Sequence, residues 1–296
     1  MVDDVYYDYN ETLKITQNLC RKYNYLDVYN IGRTYCGREI RLLKLGKARE
    51  CVLYCAAMHG NESITTTILL KLIEDICECI AEGKLLSGIN IKRMMKARSF
   101  AFIPMSNPDG CEIALKGDKA DVKNIEAINK LCSGEFRKWK ANGRGVDINR
   151  NFQADWEKTS EISKKYGFSS PSYMKYCGEY PESEAETLAI VNACKLLNPC
   201  HIVSLHTQGE VIFYGWKKSK SDEARMANIL SMLSGYSVEI PEELSQGGGF
   251  KDWFSKTYRR PGFTIECGKG ENPLPESDIS KIYKRIFEML AVSLIM

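Results

Sequence analysis

The sequence predicts an α/β domain in which one sheet is covered by helices on both faces. Three observations carry that expectation. Apolar strand-like runs alternate with helix-period segments along the chain, the pattern of a sheet buried on both sides. The 296 residues are 44% hydrophobic and 27% charged, a globular balance with enough apolar material for one large core. No internal repeat, low-complexity stretch or Pro/Gly/Ser-rich linker divides the chain. Residues 1–296 therefore read as a single domain, with 1–25 as a helical extension within it.

The elements follow in order. "DYNETLKITQNLCRKYN" reads as an opening helix with Asn10 or Thr12 near its cap. "EIRLLKLG" and "ECVLYCAAMHG" read as strands joined by a short turn. "ESITTTILLKLIEDICECIAEG" is a long amphipathic helix that stops at Gly83, where a left-handed cap is easiest for glycine. "ARSFAFIPMSNPDG" is a strand running into an Asn-Pro-Asp-Gly turn. "PESEAETLAIVNACKLLN" is a helix, "HIVSLHTQG" a short buried strand, and "DEARMANILSMLSG" a further helix. "PGFTIECG" is a strand, and "SDISKIYKRIFEMLAVSLI" closes the chain as a helix.

Charge and cysteine usage exclude several classes. Lysine plus arginine exceeds aspartate plus glutamate by 41 − 38 = 3, too little to argue for nucleic acid or an anionic membrane as partner. The opening "MVDDVYYDYN" is acidic without an apolar core, so no signal peptide is expected, and runs such as "MLAVSLIM" are too short to span a bilayer. The twelve cysteines are scattered through expected helices and strands, and Cys77 and Cys79 lack the two-residue gap of a zinc or redox motif. They read as buried thiols in a reducing compartment, which makes a cytoplasmic protein the simplest expectation.

Four strand candidates end in polar groups unlike their interiors: His59 to Glu62, Asn107 to Asp109, His206, and Glu266. Open α/β sheets bind ligands at the carboxyl ends of strands, so these ends are candidates to converge. Two imidazoles and one carboxylate on a tetrahedral zinc leave one position open, as a catalytic site requires. His59 and Glu62 would be two ligands brought together by a strand-to-helix turn, with Gly60 permitting a tight backbone, and His206 the third. Taken singly, an HxxE pair arises by chance in many chains, and a strand-end histidine is more often a core or turn residue. His201, at the start of a strand after Pro199, reads as structural.

In combination with "NPDG" (107–110), "GVDINRNF" (145–152), "SLHTQG" (204–209) and "FTIE" (263–266), in this order, the chain resembles the M14 zinc carboxypeptidases. The resemblance implies a mixed, roughly eight-stranded twisted sheet between helices. It also implies one zinc ion per chain held by His59, Glu62 and His206. Glu266 matches the family's general base toward the attacking water. Arg137, in "EFRKWKAN", matches an arginine that stabilises the oxyanion, although it also reads as a solvated member of the basic run Arg137–Lys140. Asn149 and Arg150 match the pair that grips a substrate carboxylate, a task suited to the planar guanidinium fork. Asp147 matches a carboxylate that orients a ligand histidine and fixes its tautomer.

The stretches "WKANGRGVDINRNF", "HTQGEVIFYGW" and "GGGFKDWFSKTYRRPGFTIECGKGENPLP" are similar to the bacterial branch that cleaves γ-D-glutamyl-meso-diaminopimelate bonds in cell-wall peptides. Where digestive-type relatives carry a loop tyrosine this chain has Leu244, and the position that selects the side chain falls at Lys251. A lysine there favours an acidic partner; Lys251 would meet the distal carboxylate of diaminopimelate, and Glu210 or another nearby acid its ammonium. The expected protein is thus a zinc metallopeptidase acting on a peptide or muropeptide. Two alternatives stay open: a carboxypeptidase for ordinary peptides, and an inactive binding or sensing module on the same fold.

Overall fold

The computed structural model of the protein describes residues 2–216, 221–241 and 246–296. Its strands, in chain order, are β1 (Leu26–Arg33), β2 (Glu39–Leu45), β3 (Glu50–Cys55), β4 (Arg98–Ile103), β5 (His201–His206), β6 (Val211–Tyr214), β7 (Ser237–Val238) and β8 (Gly262–Glu266). They form one sheet in the spatial order β1-β2-β4-β3-β5-β8-β6-β7. The central four, β4, β3, β5 and β8, are parallel; β2 joins β4 and β6 joins β8 antiparallel. This is the expected mixed eight-stranded sheet in a single domain.

Alternation along the central strands sends side chains to two cores. Val52, Tyr54, Phe100, Phe102, Val203 and Leu205 face one side, where α2 (Ile64–Glu82), α8 (Ser221–Ser234) and α10 (Ile279–Ser293) pack. Cys51, Leu53, Cys55, Ala101 and Ile202 face the other, against α7 (Ala185–Leu197) and α9 (Phe250–Tyr258). Burial on both faces explains why β5 is buried at every position and reads as an apolar run rather than an alternation. The β5 residue His201 is part of this packing: its Nε2 donates to the Ser293 carbonyl at 2.7 Å, and burial holds it neutral, with a pKa lowered to about 4. Among the described residues no helix is long and apolar enough to cross a membrane.

The structure corrects some local expectations. Helix α1 (Tyr9–Lys22) is capped by Asp8 rather than Asn10 or Thr12, and Asp8 and Glu11 form a reciprocal capping box. The Asn-Pro-Asp-Gly segment is the start of a helix, Pro108–Lys116, because the Asn107 side chain caps Gly110 N–H at 2.9 Å with Pro108 in the first turn. The expected α2 does stop at Gly83, which has φ 67°. Strand β1 has no legible alternation since it is a sheet edge, exposed over most of its length and irregular between Asn30 and Gly32.

Candidate active site

The chain leaves β3 for β4 on one side, and β5 returns on the other side of β3. Such a reversal opens a crevice at the carboxyl ends of the two strands. His59 and Glu62 follow β3, His206 ends β5, and Glu266 ends the next strand, β8, where the two residues are register partners. A short 3-10 turn over Gly60–Glu62 brings the Glu62 carboxylate back beneath His59. Glycine is needed in that turn: a Cβ on Gly60 would stand 2.3 Å from Gly110 O and 2.8 Å from Trp139 O. Gly60 N–H donates to Lys140 O at 3.0 Å, and the Asn107 amide reaches Ala141 O at 3.1 Å, so the segment carrying Lys140 is fastened beside His59.

The three expected ligands meet. Glu62 Oε1 lies 2.8 Å from His59 Nδ1, and Oε2 lies 3.0 Å from His206 Nδ1. The two Nδ1 atoms are 3.3 Å apart, and one atom from each of the three residues can be chosen so that all lie within 4.8 Å of one another. His59 Nε2 is 3.2 Å from Asp147 Oδ1, which fixes that ring with Nδ1 turned inward. Two imidazole nitrogens facing each other beside a carboxylate are donors awaiting a shared cation, so the residues present fit a divalent metal. Two carboxylates flank His59. Burial opposes charge on His59, yet Glu62 and Asp147 more than offset it and lift the imidazole to about 9. Glu62 itself is held well below the usual carboxylate range; burial opposes its charge, but His59 and Lys140 outweigh that.

His59, Glu62 and Lys140 line a cleft of about 450 Å³ that also holds Asp147, Asn149, Arg150, Lys251, Asp252 and Glu266. Burial raises the Glu266 carboxyl, partly offset by His206 and Lys140. Asn149 accepts from Phe250 N–H at 2.9 Å, and Arg150 Nε lies 3.4 Å from Asp147 Oδ2. Lys251, expected to face an acidic substrate group, has an acidic partner within the chain: its ammonium pairs with Asp252 and donates to Gly215 O at 2.8 Å. Leu244 lies outside the described residues.

Two expected residues are not in this cleft. Arg137, in the short helical segment Phe136–Lys138, lines a neighbouring depression with Tyr6, Asn61 and Pro273. Glu210 lines another, with Tyr236 and Lys269, its backbone in a left-handed turn at φ 57° beyond β5. The strand-end pair Asn107 and Asp109 is likewise structural; Asp109 is wholly buried against Thr34 and Arg38. The cation missed in the sequence is Lys140. Its Nζ donates to Glu62 Oε1 at 2.9 Å inside the cleft. Nothing within the basic run Arg137–Lys140 marks it out; hydrogen bonds from Gly60 N–H and the Asn107 amide to its carbonyl hold it beside the cleft.

The sequence profile of the M14 peptidases, described as zinc carboxypeptidase, matches residues 12–289. The chain belongs to the M14 zinc carboxypeptidase family. The gamma-D-glutamyl-L-diamino acid endopeptidase 1 of Lysinibacillus sphaericus is 31% identical over 94% of this chain and 69% of its own length. Among solved structures, thrombin activatable fibrinolysis inhibitor superposes with a TM-score of 0.78 at 21% identity, covering 99% of this chain and 74% of that one. The murein-tripeptide amidase MpaA of Escherichia coli O157 gives 0.57 at 20% identity, covering 91% and 92%. These two likenesses establish the fold. The M14 chain is accordingly a zinc metallopeptidase, with His59, Glu62 and His206 as its possible metal-binding site.

Proposed function

We propose that this zinc peptidase hydrolyses the amide between a γ-D-glutamyl residue and meso-diaminopimelate in cell-wall peptides. The observation that carries the reading is the opposite-charge pair Lys251–Asp252 on the wall of the metal-facing cleft. One ammonium and one carboxylate side by side complement the distal carboxylate and ammonium of diaminopimelate, with Asp252 in the part first expected of Glu210. The relative named for γ-D-glutamyl diamino acid cleavage points the same way.

Zinc in an open site supplies Lewis-acid polarisation and acidifies water. The chain's own residues do the rest. Glu266 takes a proton from the attacking water and delivers it to the leaving amine, so amide plus water becomes a γ-carboxylate and a free amine. Lys140 Nζ is the cation beside the metal ligands and faces the charge that grows on the carbonyl oxygen, the role first expected of Arg137. Asn149 and Arg150 bind the carboxylate next to the new amine. Asp147 holds His59 in one tautomer. The free, mostly buried cysteines support a reducing, cytoplasmic setting and hence recycled or released cell-wall fragments as substrate.

Product identification by mass, with a purified γ-D-glutamyl-diaminopimelate peptide with and without chelator, tests the reading. Cleavage at that amide is expected, lost with chelator. Release of ordinary C-terminal residues in preference would favour the plain carboxypeptidase. No turnover of any peptide by zinc-loaded protein would favour a binding module.

A further inference from the structure

The central cleft does not end at the metal-facing residues. His59 and Asn272 line it, while the next residues in the chain, Gly60 and Pro273, line a second depression of about 410 Å³. Lys251 and Asp252 belong to the central cleft and to an outer pocket that shares no residue with that depression. The reacting centre thus has two neighbours, one with the Lys251–Asp252 pair and one with Arg137, Asn61 and Tyr6. A peptide whose amine-side residue occupies the first has its acyl side left for the second.

The second depression is polar and incompletely satisfied. Asn61 is 5% exposed, and its Oδ1 has no hydrogen-bond partner among the described residues; the buried Tyr6 hydroxyl has none either. Buried polar atoms are normally paired, so groups such as these mark a place where a ligand completes the set. Arg137 is exposed, makes no ion pair with a described residue, and lies close enough for its charge to act on Tyr6. Burial of Tyr6 outweighs that charge and raises its phenol to about 12, so it remains a proton donor. Glu276 stands at the same depression but is engaged by Tyr6 N–H at 2.6 Å.

A γ-linked glutamyl residue differs from an ordinary peptide residue in keeping its α-carboxylate free on the acyl side of the cleaved bond. We propose that this depression is the acyl-side subsite, where Arg137 and the Tyr6 hydroxyl donate to that free α-carboxylate while Asn61 Oδ1 faces the adjoining peptide. The inference rests on the γ-glutamyl reading above and adds to it the group that recognises the linkage. An arginine fork suits a carboxylate, and an asparagine can at once accept from the adjoining peptide N–H.

Two peptides decide it, alike except that one carries the free α-carboxylate and the other its α-carboxamide. The wild type is expected to prefer the carboxylate by roughly tenfold in kcat/KM, the worth of one charge-assisted hydrogen bond, and less at high salt. Arg137→Gln should remove the preference by raising KM for the carboxylate peptide, with kcat and the carboxamide peptide little changed. Arg137→Lys should restore part of it. Equal effects on both peptides, or none, with the wild type active, would overturn the subsite alone. A wild type that cleaves ordinary peptides but neither of these would overturn the γ-glutamyl reading and the subsite with it.

Discussion

His206 and Glu266 are paired in register at the carboxyl ends of two adjacent parallel strands, β5 and β8. Neighbouring strands lie about 4.8 Å apart, so the sheet itself sets the spacing between a metal-facing imidazole and the carboxylate that would serve as base. His206 turns to Glu62, whereas Glu266 belongs to the cleft but not to the three-residue ligand group. Binding and proton transfer are therefore separable by mutation.

Glu266→Gln keeps the shape and removes the base. Turnover should fall by about 10²–10⁴, the usual worth of a positioned acid–base group, while zinc content stays at one per chain. Metal analysis beside steady-state kinetics checks both halves. A variant with near-normal kcat would remove Glu266 from the chemistry.

Lys140 offers the sharpest contrast with Arg137. Lys140→Met should lower kcat by roughly 10²–10³ with a small effect on KM, because the charge it faces exists only in the transition state. Lys140→Arg should recover part of that loss, and a phosphonate mimic of the tetrahedral state should bind the Met variant more weakly by a similar factor. If the same kcat loss appears in Arg137→Gln but not in Lys140→Met, the two residues have been assigned the wrong way round.

Asp147 touches His59 and is not one of the three residues grouped for a metal. Asp147→Asn should weaken zinc binding about 10–100-fold in a chelator competition, since the imidazole loses the partner that fixes its tautomer. Stripping zinc from the wild type should abolish hydrolysis and its return should restore it. Unchanged zinc affinity in the variant would mean the ring is held by its packing alone.

The parts legible in the sequence were those whose physics is local. The apolar runs of β3, β5 and β8, the glycine stop of α2, and the polar ends at His59, Glu62, His206 and Glu266 all announce themselves within a few residues. What was not legible depends on packing between distant segments. Arg137 and Lys140 are three apart in one basic run, and only the fastening of that run to Gly60 and Asn107 decides which enters the cleft. Lys251 read as the partner of a substrate carboxylate, since nothing local says whether an adjacent Asp252 pairs with it or points away. Helix α9 carries Phe250, Trp253 and Phe254 into the core beside Phe152, a contact across about a hundred residues that leaves only a short aromatic cluster as its trace.

Glu186, wholly buried at the start of α7, makes stability depend on pH away from the active site. Its Oε2 accepts from Asn142 at 3.1 Å, its Oε1 has no partner among the described residues, and burial raises its carboxyl to about 8. The folded chain keeps this proton while the unfolded chain releases it near the ordinary glutamate value of 4.5. Stability from this group is therefore fully present in acid and declines as pH rises from about 4.5 to 8, by up to roughly 1.4 kcal/mol per pH unit. Glu186→Gln keeps an acceptor for Asn142 and has no proton to lose. Denaturant melts across pH should find the variant close to wild type near pH 4 and increasingly more stable than it toward pH 8. Parallel curves for the two proteins would show that Glu186 is ionised in the fold after all.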